Sequence, residues 1–137
     1  MWWVFALLSA LFAALTAILA KVGIKGINSD LATAIRTVFI LIIAWGIVFF
    51  RKELTGVAQL TKSNLIFLGL SGIATGLSWI FYFKALQVGN VSQVAPVDKL
   101  SVVFALILSM IFLNEVITWK IAVGSALIVI GAIVIIL

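Results

Sequence analysis

Five long apolar runs, parted by short polar breaks, take up nearly the whole 137-residue chain. A helix crosses a hydrocarbon core of ~30 Å with about 20 apolar residues, at roughly 1.5 Å rise per residue. Each run meets that length and is apolar on every side. A β-barrel strand would instead show about 10 residues of alternating polarity. Composition closes off the soluble alternative: 66% of residues are hydrophobic and 9% are charged, too few to clothe a water-exposed domain. The expectation is an all-α polytopic membrane protein, one transmembrane domain over 1–137. Its five helices are predicted at 2–23, 31–50, 64–86, 92–113 and 118–137. The first run starts at Trp2 without the basic segment that opens a cleavable leader, so it predicts a retained first helix.

The breaks carry turn and cap chemistry. Gly23 and Gly26 precede Asn28-Ser29-Asp30, which ends the first helix and offers caps for the second. Arg51-Lys52-Glu53 closes the second helix at an interface. Ser63 or Asn64 is the expected cap of the third helix, Ser92 of the fourth and Thr118 of the fifth. Gly89-Asn90 and Asn114-Glu115 are the expected turns. Short turns make consecutive helices antiparallel neighbours.

Small residues recur at helical spacing. Ala6, Ala10, Ala13, Ala17 and Ala20 share one face of the first helix; Gly69, Gly72 and Gly76 share one face of the third; Gly124 and Gly131 mark the last. Such stripes let backbones approach closely. They serve packing within one chain and packing against a second copy alike, and both uses remain open.

Five crossings put the termini on opposite sides. The N-terminal side receives Arg51, Lys52, Lys62 and Lys120; the far side receives Lys21, Lys25, Arg36, Lys84 and Lys99. Orientation follows an imbalance of such residues, and four against five is nearly balanced. Insertion in both orientations, followed by pairing into an antiparallel homodimer of ten helices, would rebuild the inverted-repeat arrangement of secondary transporters. A single orientation is the alternative. With the deeper Arg36, Lys84 and Lys99 discounted, it has the N-terminus inside.

Ionisable groups inside spans cost about 2.5–3.5 kcal/mol each and need a reason. Arg36, Lys84, Asp98, Lys99 and Lys21 all fall toward the far side. Two roles are open. In the first, Asp98 is the counter-ion to Arg36, Lys84 or Lys21 while the other lysines reach the headgroups. Alternatively the group lines a wet cavity whose excess positive charge favours an anionic or zwitterionic ligand. Asp98, the only acid well inside a span, is the candidate for proton coupling. Pro96, the only proline, lies near the start of the fourth helix and either breaks its first turns or sits there as an ordinary first-turn proline. Ser101 follows within the same helix. Trp79 and Tyr82, in register with Thr75 and Ser78, are candidates for a pocket wall or an interfacial belt, and Trp2, Trp3 and Trp119 for belt anchors.

With no cysteine and no histidine, thiol nucleophiles, imidazole bases and most metal sites are absent. No Gly-rich phosphate loop precedes a lysine. Enzyme activity, a cofactor and ATP-driven pumping by this chain alone are not expected. The net charge of +5 is scattered, without the basic stripe a nucleic-acid partner requires.

The stretch YFKALQVGNVSQVAPVDKLSVVFALILSMIFLNEVITWKIAVGSALIVIG, from Tyr82 to Gly131, resembles the second half of an EamA domain of the drug/metabolite transporter superfamily. The likeness rests on the Ala-Leu before the third turn, Ala95-Pro96, Glu115-x-x-Thr118 and the Gly124–Gly131 spacing. The first helix, with a lysine near its end, fits as well. Most members carry two five-helix domains, so this chain is similar to the single-domain bacterial/archaeal transporter type, half of a ten-helix inverted-repeat fold in a cell (inner) membrane. The resemblance implies a secondary transporter or exporter of a small metabolite. Asn114 departs from it, standing where a glycine commonly precedes the glutamate. The small multidrug members use a glutamate in their first helix; none is present here, so cationic-drug antiport by that route is not implied. The competing expectation is a non-transporting scaffold or regulatory subunit. Deep charges and the near absence of loops argue against it.

Overall fold

The computed structural model describes all 137 residues. It is helical throughout: α1 Trp2–Gly23, α2 Ser29–Phe50, a 3-10 helix Glu53–Gln59, α3 Lys62–Val88, α4 Val91–Asp98, α5 Ser101–Leu113 and α6 Trp119–Ile136. Five segments are long and apolar enough to cross a membrane, with α4 and α5 together making the fourth, Val91–Leu113. The shortest, α6, has 18 residues, about 27 Å at the helical rise and close to the thickness of the hydrocarbon core. Nearly all large apolar side chains are exposed. In water that surface would be untenable; in lipid it is the outer face.

Local chemistry explains the boundaries. Asn28 caps α2, its Oδ1 accepting from the Asp30 N–H at 2.7 Å and the Leu31 N–H at 3.4 Å. Gly26 before it sits at φ +77°, the left-handed region in which glycine carries no Cβ penalty. Thr118 caps α6 by accepting from the Ile121 N–H at 3.5 Å. Two expected helix starts are displaced by two or three residues. The cap of α3 is Thr61, whose Oγ1 accepts from the Asn64 N–H at 3.1 Å, in place of Ser63 or Asn64. Asn90, in extended conformation, precedes α4 and offers no side-chain cap bond, and Ser92 lies inside the helix. Helix starts tolerate such slips because any short polar side chain in the register suffices.

Asn114 ends α5 at φ +54°, ψ +31°, and the Glu115 N–H returns to the Ser109 carbonyl at 3.3 Å. This is the left-handed stop usually supplied by glycine, and asparagine is the next residue able to supply it. The turn thus keeps its geometry without the glycine.

The chain forms two compact units: a central one, Leu19–Gln87, and a terminal one, Met1–Ile18 with Val88–Leu137. In the central unit the end of α1, α2, the 3-10 helix and α3 come together, and the 3-10 helix packs back along α2. In the terminal unit α4 and α5 both pack on α6. Several hydroxyls inside spans are satisfied by their own helices. Thr33 and Thr37 donate to the Ser29 and Thr33 carbonyls, both at 2.8 Å, and Ser125 donates to that of Ile121 at 2.8 Å. Such bonds remove the need for water. A Cβ built on Gly69, Gly72, Gly76, Gly124 or Gly131 meets no atom within 4 Å, so no neighbour requires glycine at any of these positions.

Candidate functional site

One set of polar residues of the central unit gathers at the end where α1 finishes, α2 begins and α3 finishes. Asp30 lies in the first turn of α2, and Lys84 about one turn from the end of α3. They form an ion pair at 3.6 Å with both side chains about half exposed, 54% and 53%. Lys21, near the end of α1, donates from Nζ to the Leu86 carbonyl of α3. Gln87 donates from Nε2 to the Ile27 carbonyl, just before α2, at 2.9 Å. Phe83 and Leu86 beneath these contacts are fully buried. Three polar contacts therefore tie α3 to α1, to α2 and to the turn between them.

Deeper along α2 lies Arg36. The spacing Ser29, Thr33, Arg36 keeps one helical face, and that face turns to α3, with Ser29 and Thr33 buried. The Arg36 guanidinium carbon sits 4.5 Å from the centroid of the Trp79 ring and 4.8 Å from that of Phe83. Trp79 and Phe83 are four residues apart on α3, so they share one face of the helix. Both contacts are cation–π attractions, each about 0.5–2 kcal/mol, but neither satisfies an N–H with an oxygen. Arg36 Nη1 is buried and has no hydrogen-bond partner. An unsatisfied buried donor of this kind costs about 1–3 kcal/mol, and a charge inside a span adds its own cost. The site holds a cation firmly by its π-contacts while leaving a donor unused.

Of the residues singled out in the sequence, the structure brings Arg36 and Trp79 into contact. It places Lys84 and Lys21 on the same end of the central unit. Tyr82 stands edge-on to Phe83, with ring centroids 6.1 Å apart and planes at 72°. Lys84 pairs with Asp30 in the central unit, and in the terminal unit Asp98 pairs with its neighbour Lys99 at 3.4 Å. Arg36 has the Trp79 and Phe83 rings beside its guanidinium.

Pro96, Asp98, Lys99 and Ser101 sit together in the terminal unit at a discontinuity. The fourth span, expected as one helix, stops at Asp98 and resumes at Ser101. Between them the bonds tighten to i→i−3: Lys99 to Pro96 and Leu100 to Val97, both at 3.0 Å, then Val102 to Lys99 and Val103 to Leu100, again 3.0 Å. Backbone angles stay right-handed, so this is a 3-10 turn within one span. Pro96 is well inside α4, and the interruption falls one turn beyond it, not in the opening turns. The proline removes one helical donor and crowds the preceding turn; Asp98 and Ser101 flank the interruption and Lys99 lies within it.

Sequence reasoning missed Phe83 and Asp30. Phe83 was visible as the i+4 partner of Trp79, and Asp30 as a carboxylate at the same membrane end as Lys84. It also missed the 3-10 helix, whose seven residues carry no helical period.

Comparison with known proteins agrees with this architecture. The profile of the EamA-like transporter family matches residues 1–137. A protein of Sinorhizobium sp. described as an uncharacterized transporter in the cobO 3′ region is 47% identical over 131 residues, 96% of this chain and 93% of the relative. Human solute carrier family 35 member G1 is 42% identical over 73 residues, 53% of this chain but 19% of that longer protein. No solved structure matches significantly. With five membrane-spanning helices and a family match from end to end, this multi-pass membrane protein belongs to the EamA-like transporter family, within the drug/metabolite transporter superfamily.

Proposed function

We propose that this transporter moves a small anionic or zwitterionic metabolite, working as a secondary transporter and exporter in the cell (inner) membrane of a bacterium or archaeon. The observation that carries the substrate class is the unpartnered Arg36 Nη1 beside Trp79 and Phe83. A guanidinium held by aromatic rings is pre-oriented, and its free N–H matches a carboxylate or phosphate oxygen. Burying a donor without a partner is unfavourable at rest and becomes favourable once an oxyanion arrives. Lys21 and Lys84 at the same end of the unit add positive potential along the approach.

The working unit is an antiparallel homodimer, one chain supplying each orientation. The near-balanced basic residues and the odd number of spans support it. The open glycine faces of α3 and α6 are the surfaces available for the second copy. Asp98, at the interruption of the fourth span, is the candidate coupling group, with Lys99 and Ser101 beside it.

Purified protein in liposomes tests the function. Saturable, protein-dependent flux of a carboxylate or phosphate ester, sensitive to Arg36→Met, is the expected result. No movement of any solute class, together with a stable co-purifying partner, would make the chain a scaffold. Reporter tags on both termini and cross-linking between copies test the dimer; uniform orientation with only parallel contacts defeats it.

A further inference from the structure

At the membrane end opposite the Arg36 site, the 3-10 helix and the last two turns of α2 enclose an open apolar cleft of about 270 Å³. Its lining is Ala44, Trp45 and Val48 from α2 with Glu53, Gly56, Val57 and Leu60. Ala44 lies six residues before the end of α2, about 9 Å at the helical rise, so the cleft straddles the boundary between headgroups and acyl chains. Glu53 is the one charged residue of its lining; in the chain, Arg51 and Lys52 directly precede the 3-10 helix and Lys62 follows it, an excess of cations around that acid. The fold is strained to build this feature. Lys52 adopts φ +56°, ψ +32°, a left-handed conformation that costs a non-glycine residue about 1–2 kcal/mol. That reversal folds the 3-10 helix back against α2 instead of letting it run into solvent.

We propose that this cleft is a binding site for one anionic phospholipid. An acyl chain lies against Trp45, Val48 and Val57, and the phosphate is held by Arg51, Lys52 and Lys62. The apolar lining excludes a free polar ion as the main occupant, and the excess of cations over Glu53 selects an anionic headgroup over a zwitterionic one. Gly56 is part of the lining, and a Cβ there meets nothing within 4 Å, so the position has room for a side chain.

The test is native mass spectrometry of the purified full chain titrated with phosphatidylglycerol or phosphatidylcholine of the same acyl length. The expected result is one tightly retained phosphatidylglycerol per chain. Its affinity falls about fivefold for each of Arg51→Gln, Lys52→Gln and Lys62→Gln. Gly56→Leu should abolish retention while the melting temperature in detergent stays unchanged. Equal retention of the two lipids overturns the proposal. So does a phosphatidylglycerol preference that survives Gly56→Leu, since it would reflect general basic attraction. Full displacement of the lipid by inorganic phosphate also overturns it, by assigning the site to a free anion. Arg51, Lys52 and Lys62 are exposed, so the charge variants decide the outcome even if Gly56→Leu fails to fold.

Discussion

Replacing Arg36 by methionine separates a binding role from a packing role, because the two predict opposite signs of stability change. Methionine keeps most of the side-chain volume and loses the charge. Lost with the guanidinium are two cation–π contacts, at 4.5 and 4.8 Å, each about 0.5–2 kcal/mol. Relieved are one buried unsatisfied donor, about 1–3 kcal/mol, and a charge inside a span, about 2.5–3.5 kcal/mol on the insertion scale. The reliefs overlap and cannot be added, but the larger one is comparable to the combined loss of about 1–4 kcal/mol. Arg36→Met is therefore expected to melt in detergent at the parent temperature or above it. Binding moves the other way. A charge-assisted hydrogen bond contributes about 1.5–3 kcal/mol, so affinity for an oxyanion substrate falls about 10- to 150-fold. The assay pairs thermal unfolding with concentration-dependent flux in liposomes, using carboxylates and phosphate esters. Arg36→Lys retains the charge without the planar fork and should fall between the two. A variant that melts several degrees lower and transports as well as the parent would show that Arg36 is a packing residue and would refute the reasoning.

Asp98→Asn should abolish flux driven by a proton gradient while leaving exchange of substrate at equal concentrations; intact pH-driven flux removes Asp98 from coupling. Asp30→Asn breaks an ion pair that is half exposed, so its cost in unfolding measurements is expected at or below about 1 kcal/mol, and a loss of several times that would mark the pair as buried in the working assembly. Asn114→Gly should be neutral or slightly stabilising and Asn114→Val destabilising by about 1–2 kcal/mol, because only glycine accepts φ +54° as readily; equal stability of the two variants in denaturant titration would show that this turn relaxes freely.

Much of this protein is determined by sequence alone, for a physical reason. A bilayer forces every backbone group into an internal helical bond, so apolar length specifies the spans. Trp2–Gly23 and the end of α2 at Phe50 match the predicted limits. The caps at Asn28 and Thr118 were legible because one short polar side chain at the right offset is enough. What required tertiary structure is every choice among partners. The sequence offers Asp98 as a counter-ion to Arg36, Lys84 or Lys21, and periodicity alone cannot choose among them. Packing of α2 against α3 puts Trp79 and Phe83 at Arg36, and the meeting of helix ends puts Asp30 at Lys84. The interruption between Asp98 and Ser101 is likewise offset from the proline that signals it, since a helix can pass the disturbance along by tightening its next turn. The five apolar helices are thus a property of chain and solvent, whereas the unsatisfied Arg36 donor exists only once two helices have packed around it.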